Sequence, residues 1–125
     1  MKKLFLFAPV IVFSIACSSG GSGYLHTDVL EPENLSNPVA SGVKIQGEIM
    51  TDGTLTYQGS GEVQKAYLEY VEAMRGLGRE PRSADGDSVN GMQGTLRKDT
   101  RQVDLSITPA AQGDVKVVIK VGPGK

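Results

Sequence analysis

Alternating apolar and polar residues predict a pair of strands in the first half of the chain. Val43, Ile45 and Ile49 alternate with polar and charged residues, which is typical of a strand with one buried face. Residues 54–57 repeat the alternation and supply the partner strand. A three-residue loop at 51–53 keeps the apolar side chains of both strands on one face, whereas a two-residue loop mixes the faces. We therefore predict a hairpin that turns at 51–53.

The segment that follows has the periodicity of a helix. Ser60 precedes it as a favourable N-cap, and Pro81 prevents the helix from continuing. A stripe with two tyrosines could line a ligand groove, but packing against a sheet is the commoner role of such a stripe. We therefore predict an amphipathic helix whose apolar side belongs to the core. Its apolar residues recur every three or four positions and are Val63, Ala66, Tyr67, Tyr70, Val71, Met74 and Leu77.

Three further strands are predicted at 88–98, 102–108 and 115–121, where apolar residues alternate between turn-forming residues. A tight turn at 99–100 makes them consecutive antiparallel neighbours. The predicted fold class is α+β with the order β-β-α-β-β-β. In this fold one amphipathic helix packs on one face of a small antiparallel sheet, which buries both apolar surfaces.

The beginning of the chain carries an export motif. Lys2 and Lys3 precede a short apolar run, and the run ends in Ser14-Ile15-Ala16-Cys17. This order resembles the signal peptide of bacterial lipoproteins. The resemblance implies that residues 1–16 are removed and that Cys17 carries a diacylglyceryl lipid. Ordinary signal peptidase cleavage after the same small residues is the alternative, and it would release a soluble protein with a free thiol.

The resemblance also implies a place for the mature protein in the bacterial envelope. Ser18, where some inner-membrane lipoproteins have Asp, slightly favours the outer membrane. Residues 17–42 contain a Gly/Ser-rich stretch, Pro32 and Pro38 without apolar periodicity, so we predict that they form a flexible tether and arm. A single domain is then expected at 43–122.

The predicted domain resembles small α+β domains of exported bacterial proteins. These domains have no established activity, so the resemblance implies a fold and no active site. The residues that carry it are the helix segments 67–70 and 74–78 and the strand segments 96–99 and 115–119, which read Tyr-Leu-Glu-Tyr, Met-Arg-Gly-Leu-Gly, Leu-Arg-Lys-Asp and Val-Lys-Val-Val-Ile.

The residues that usually carry catalysis or bind metals are scarce. His26 is the single histidine and Cys17 the single cysteine, so histidine-dependent nucleophiles and His or Cys metal clusters are not expected. Asp85 and Asp87 have the spacing of two calcium ligands, but Val89 stands where a further oxygen ligand is required. We therefore expect a protein that is not an enzyme and that needs no cofactor beyond the lipid on Cys17.

Charge restricts the class of partner. Without Lys2 and Lys3 the 13 basic residues fall to 11 against 14 acidic residues, which gives the mature chain a net charge of −3. Nucleic acid is therefore not an expected partner. A local cluster of basic residues is nevertheless a candidate binding patch for anionic lipid, an anionic envelope polymer or an acidic envelope protein. Its members are Arg75, Arg79, Arg82, Arg97, Lys98 and Arg101.

Two functional classes follow from these observations. The first is a membrane-anchored envelope lipoprotein with a non-enzymatic binding or scaffold role, acting through the basic patch or by strand addition at a sheet edge. The second is an accessory or inhibitor subunit of a secreted or envelope enzyme complex.

Overall fold

Within the part of the chain that the structure describes, the main regular elements are one α-helix and six strands. The computed structural model describes residues 24–33, 35 and 38–124, and the lipobox-like motif with Cys17 lies outside them. The helix α1 is Val63–Gly76. The strands are β1 Val39–Gln46, β2 Ile49–Ser60, β3 Glu80–Asp87, β4 Gly91–Lys98, β5 Arg101–Pro109 and β6 Asp114–Pro123.

The strands form a single antiparallel sheet in the order β1-β2-β6-β5-β4-β3, so β1 and β3 are its edges. Leu55, Ile119 and Leu105 lie opposite one another on β2, β6 and β5. All three are buried in the hydrophobic core. Alternate residues of a strand point to the same face, so the residues two positions away on each strand also face the core. The other face is polar and partly open to solvent, with rows such as Thr54, Lys120 and Asp104.

Two elements cover the buried face. Helix α1 packs on β3, β4 and β5 through Val63, Tyr67, Tyr70 and Met74, which are all buried. Residues 24–35, here called the N-terminal strap in their described part, lie beside the helix and contribute to the same hydrophobic core. The fold class and the apolar side of the helix are confirmed. The helix N-cap, however, is Glu62 rather than the predicted Ser60.

The first hairpin turns earlier than predicted. Gln46 pairs with Ile49, so Gly47 and Glu48 form the turn, and the prediction of a turn at 51–53 is wrong. Gly47 has a positive φ of 63°, which a tight turn favours and which glycine adopts without strain. The alternation in β1 was misleading because this edge strand is largely exposed, including Val39 at 73%.

The structure has six strands where the sequence predicts five. The additional strand is β3, and the predicted strand at 88–98 is β4, which begins later, at Gly91. Every residue of β3 is exposed, and Pro81 lies near its start. An exposed edge strand has no buried face to impose apolar alternation, so this strand is defined by its backbone pairing with β4.

The prediction that residues 17–42 form a flexible tether and arm is wrong for those residues of the range that the structure describes. Val29 is fully buried and Leu35 is 8% exposed, and Leu35 packs on Gly59 of β2. The amide of Asp28 donates a hydrogen bond to the carbonyl oxygen of Glu48 at 3.1 Å. The strap therefore runs along the whole of β2, with Asp28 beside the first residues of that strand and Leu35 beside its end. It covers the part of the sheet that α1 leaves open.

Candidate functional site

A groove of about 470 Å³ lies between the strap and α1. Leu30 and Leu35 line its strap side, while Ala66, Tyr70 and Ala73 line its helix side. It exists because two separate elements share one sheet face and their side chains do not fill the space between them. Volumes of this size are typical of binding sites for small ligands or for a few side chains of a partner.

Two tyrosine hydroxyls fix the strap beside the groove. Tyr70 donates a hydrogen bond to the carbonyl oxygen of Leu30 at 2.7 Å, and Tyr57 donates one to Oε2 of Glu31 at 2.8 Å. Burial raises the pKa of Tyr70, and burial together with the Glu31 carboxylate raises the pKa of Tyr57. Both phenols therefore stay protonated and keep donating at physiological pH, which holds this wall of the groove in place.

Charged residues around the groove are mainly acidic. Glu31 and Glu33 come from the strap, Glu62 is the N-cap of α1, and Glu69 lies within α1. Lys65 is the one basic residue among the described residues that line the groove. Glu33, Glu62 and Glu69 are exposed, whereas Glu31 is partly buried under its hydrogen bond to Tyr57. The groove therefore combines an apolar floor with a rim of net negative charge.

The basic residues of the predicted patch do not form one accessible surface. Arg79 is 2% exposed, and its Nη2 lies 3.5 Å from Oδ2 of Asp28. Arg101 donates to both oxygens of the same carboxylate and to the carbonyl oxygen of Met50. These two arginines are therefore parts of an internal ion cluster that joins the strap to the helix end and to β5, and they do not contribute to an exposed surface.

The other four residues of that patch are more accessible. Arg75 pairs with Glu72 at 3.3 Å and Arg82 pairs with Glu80 at 3.2 Å, both at exposed positions. Lys98 donates from Nζ to the carbonyl oxygen of Leu77. The side chain of Arg97 lies beside Gly124, near the end of the described chain. The hydrogen bond from Lys98 brings the end of the β4–β5 hairpin to the C-terminus of the helix, but the carboxylates of Glu72 and Glu80 offset part of the positive charge there.

Asp85 and Asp87 lie at the end of β3, and residues 88–90 form the turn into β4. Oδ1 of Asp87 accepts hydrogen bonds from the amides of Val89 and Asn90, and these bonds lower the pKa of the Asp87 carboxyl. Among the described residues no group of three or more His, Cys, Asp or Glu side chains is arranged to hold a metal ion. The side chain of His26, like Cys17, lies outside the description.

The groove is the feature that sequence reasoning missed. Two tyrosines on the helix stripe were weighed as groove residues and assigned to the core, and both are buried. Tyr70 nevertheless also borders the groove, because the strap packs beside it. In the sequence, the strap side of the groove is marked by Leu30 and Leu35, which stand among prolines and glutamates. These two leucines show no helical or strand periodicity, so the sequence did not indicate that they pack on the core.

Comparison with known proteins finds no match for this chain, whether among family models, curated sequences or solved structures. Within residues 24–33, 35 and 38–124, no helix has the length and apolar character that crossing a bilayer requires.

Proposed function

We propose that this protein is a membrane-anchored lipoprotein of the bacterial envelope with a non-enzymatic binding role, and that the groove is its binding site. The groove carries the binding part of the proposal, because it is a concave surface with an apolar floor and a charged rim. The Ser14-Ile15-Ala16-Cys17 motif supports the lipid anchor. A diacylglyceryl group would provide two chains, which is enough for stable attachment.

Docking of the strap shortens the distance over which the anchored domain would act. Residues 18–23 alone separate Cys17 from Tyr24, a span of at most about 25 Å between the two Cα atoms. Tyr24 lies at the end of the domain that contains Asp28, Met50 and Arg101. That end would therefore face the membrane, and the groove would extend away from it toward Ser60 and Val115.

An accessory or inhibitor subunit of a secreted or envelope enzyme complex is the second candidate. The outer edge of β1 supports it, because no other strand of the described residues pairs with that edge, and Val39 and Ile45 are 73% and 36% exposed there. Such an edge is suited to addition of a strand from a partner. Purification of the anchored protein from envelope extract separates the two candidates. One stoichiometric enzyme among the captured proteins would support the accessory role, and retention on isolated envelope without an enzyme would support the scaffold role.

The anchor is tested by the intact mass of the mature protein from cells, measured for the wild type and for Cys17→Ser. We expect a lipid-sized increment on a chain that begins at Cys17, and we expect it to be absent from the variant. An unmodified chain that begins at Cys17 would overturn the anchor and would leave an exported protein with a free thiol.

A further inference from the structure

We infer that the groove binds a positively charged amphipathic peptide segment of an envelope partner, with apolar side chains on the floor and Lys or Arg side chains at the rim. This inference rests on the binding role proposed above and does not depend on the lipid anchor.

The floor of the groove requires apolar groups on the ligand. Leu30, Leu35, Tyr70 and Val115 contribute to its lining, and such a surface gains free energy when apolar groups displace water from it. A purely hydrophilic cation would leave this floor wet. The ligand must therefore bring hydrophobic side chains as well as charge.

The rim requires positive charge on the ligand. Four carboxylates, those of Glu31, Glu33, Glu62 and Glu69, face one ammonium group, that of Lys65. Anionic lipid headgroups would be repelled by this rim, whereas Lys and Arg form charge-assisted hydrogen bonds with carboxylates. Their long aliphatic stems also pack on apolar surface while their charged ends stay in water.

The rim is partly preorganised for such a ligand. The Glu31 carboxylate already accepts a hydrogen bond from the buried hydroxyl of Tyr57, so one oxygen is held in place and the other remains for a ligand cation. Ordering this side chain in advance reduces the entropy that binding must overcome. Glu31 is therefore the rim residue from which we expect the strongest single contribution.

The test uses the mature chain with Cys17→Ser, which contains every described residue, and a fluorescent short peptide of alternating Lys and Leu. Fluorescence anisotropy is measured at physiological ionic strength. Peptides of alternating Glu and Leu, and of alternating Lys and Ser, test the charge and the apolar requirement separately. Spermine as a competitor tests whether charge alone suffices. We expect binding of the Lys-Leu peptide only, with little displacement by spermine.

Two variants locate the binding in the groove. Ala73 is exposed on the groove wall, so Ala73→Phe should fill the groove without disturbing the core and should weaken binding about tenfold or more. Gln64→Phe is the matched control, because Gln64 is exposed on the same helix and is not among the lining residues. Equal binding by Ala73→Phe and Gln64→Phe would overturn the proposed site.

A second pair of variants separates local charge from net charge. The double variant Glu62→Gln with Glu69→Gln removes two rim carboxylates, and we expect binding about fivefold weaker, since exposed ion pairs contribute modestly. Glu72→Gln with Glu80→Gln removes the same charge from exposed positions outside the groove and should change binding little. Similar weakening in both would overturn recognition by the rim.

Failure of this inference differs from failure of the proposed function. If the Lys-Leu peptide does not bind, but Ala73→Phe abolishes capture of envelope partners, the binding role of the groove stands and the ligand class is wrong. If neither the peptide nor the envelope capture depends on Ala73, both proposals fail at the groove. The mass of the mature protein reports on the anchor in either case.

Discussion

Asp28 accepts two hydrogen bonds from the guanidinium group of Arg101, although 73 positions separate the two residues. The first, from Nη1 to Oδ1, is 3.0 Å long. The same carboxylate faces the buried Arg79 and accepts a long bond from the amide of Met50. One side chain of the strap thus compensates two arginines of the domain, which ties the strap to β2, β5 and the end of α1.

Replacing Asp28 should destabilise the fold strongly. Asp28→Asn would remove the carboxylate that Arg79 and Arg101 share, in a site where Arg79 is 2% exposed. Arginine cannot lose its proton to relieve the burial, so we expect a loss of about 2 to 3 kcal/mol in the free energy of unfolding. Urea denaturation of the mature chain followed by circular dichroism measures this loss.

The control for this variant is Glu72→Gln, which breaks the ion pair with Arg75. Both side chains of that pair are more than half exposed, at 75% and 57%, so we expect a change below about 0.5 kcal/mol. If Asp28→Asn were no more harmful than Glu72→Gln, the Asp28 cluster would not hold the strap in place.

The same cluster should make stability depend on pH in the acid range. Burial alone would raise the pKa of Asp28, but the hydrogen bond from Arg101 and the charges of Arg101 and Arg79 outweigh it. The pKa therefore lies below the ordinary value of 3.8. The folded state binds this proton less tightly than the unfolded chain, so the stabilisation is complete above about pH 4 and is lost as pH falls through the folded pKa.

The measurement is the difference in free energy of unfolding between the wild type and Asp28→Asn at several pH values. We expect this difference to be constant from neutral pH down to about pH 4 and to shrink below it. Comparing the two proteins removes the parallel contribution of Asp87, whose pKa is also lowered. A difference that persists unchanged at strongly acidic pH would show that the Asp28 charge does not stabilise the fold.

Removing the Tyr70 hydroxyl should loosen the strap selectively. Tyr70→Phe leaves the carbonyl oxygen of Leu30 without its 2.7 Å hydrogen bond, and we expect a loss of about 1 kcal/mol. Because this bond joins the strap to α1, the amides of Thr27 and Asp28, which bond to Tyr24 and Glu48, should exchange with deuterium about fivefold faster.

Tyr67→Phe is the matched control for the Tyr70 variant. The Tyr67 hydroxyl lies over Gly94 where the helix meets the sheet, so its removal should not change exchange in the strap. Equal exchange of Thr27 and Asp28 in both variants would contradict a specific role of Tyr70 in docking the strap.

Elements with a strong one-sided apolar pattern could be predicted from the sequence. The stripe of α1 recurs at helical spacing, and four of its residues, Val63, Tyr67, Tyr70 and Met74, are buried as expected. Strands β5 and β6 alternate cleanly, and Val103, Leu105, Val117 and Ile119 are correspondingly buried. In each case one face of a regular element determines the pattern, so a local sequence window contains the information.

The strap, β3 and the buried arginine could not be predicted for the opposite reason. Val29 and Leu35 dock without regular structure, so their burial has no period, and the exposed β3 has no apolar face at all. Arg79 was expected in an exposed basic patch, because its partner Asp28 lies far away in the sequence. The groove depends on the strap, so it could not be expected before the strap was placed.

Gly94 should tolerate no side chain, because Tyr67 of the helix packs directly against it. A Cβ at Gly94 would overlap the hydroxyl of Tyr67 and the carbonyl oxygen of Ser83, so we expect Gly94→Ala to lower the free energy of unfolding by about 2 to 3 kcal/mol through overpacking.

Gly122→Ala is the control. No described atom lies within 4 Å of the Cβ position at Gly122, and alanine there should leave stability unchanged or raise it slightly. Combining Gly94→Ala with Tyr67→Phe removes one of the two overlaps and should restore part of the loss in urea denaturation. If the double variant were as unstable as the sum of the single variants, the contact between Tyr67 and Gly94 would not be the cause.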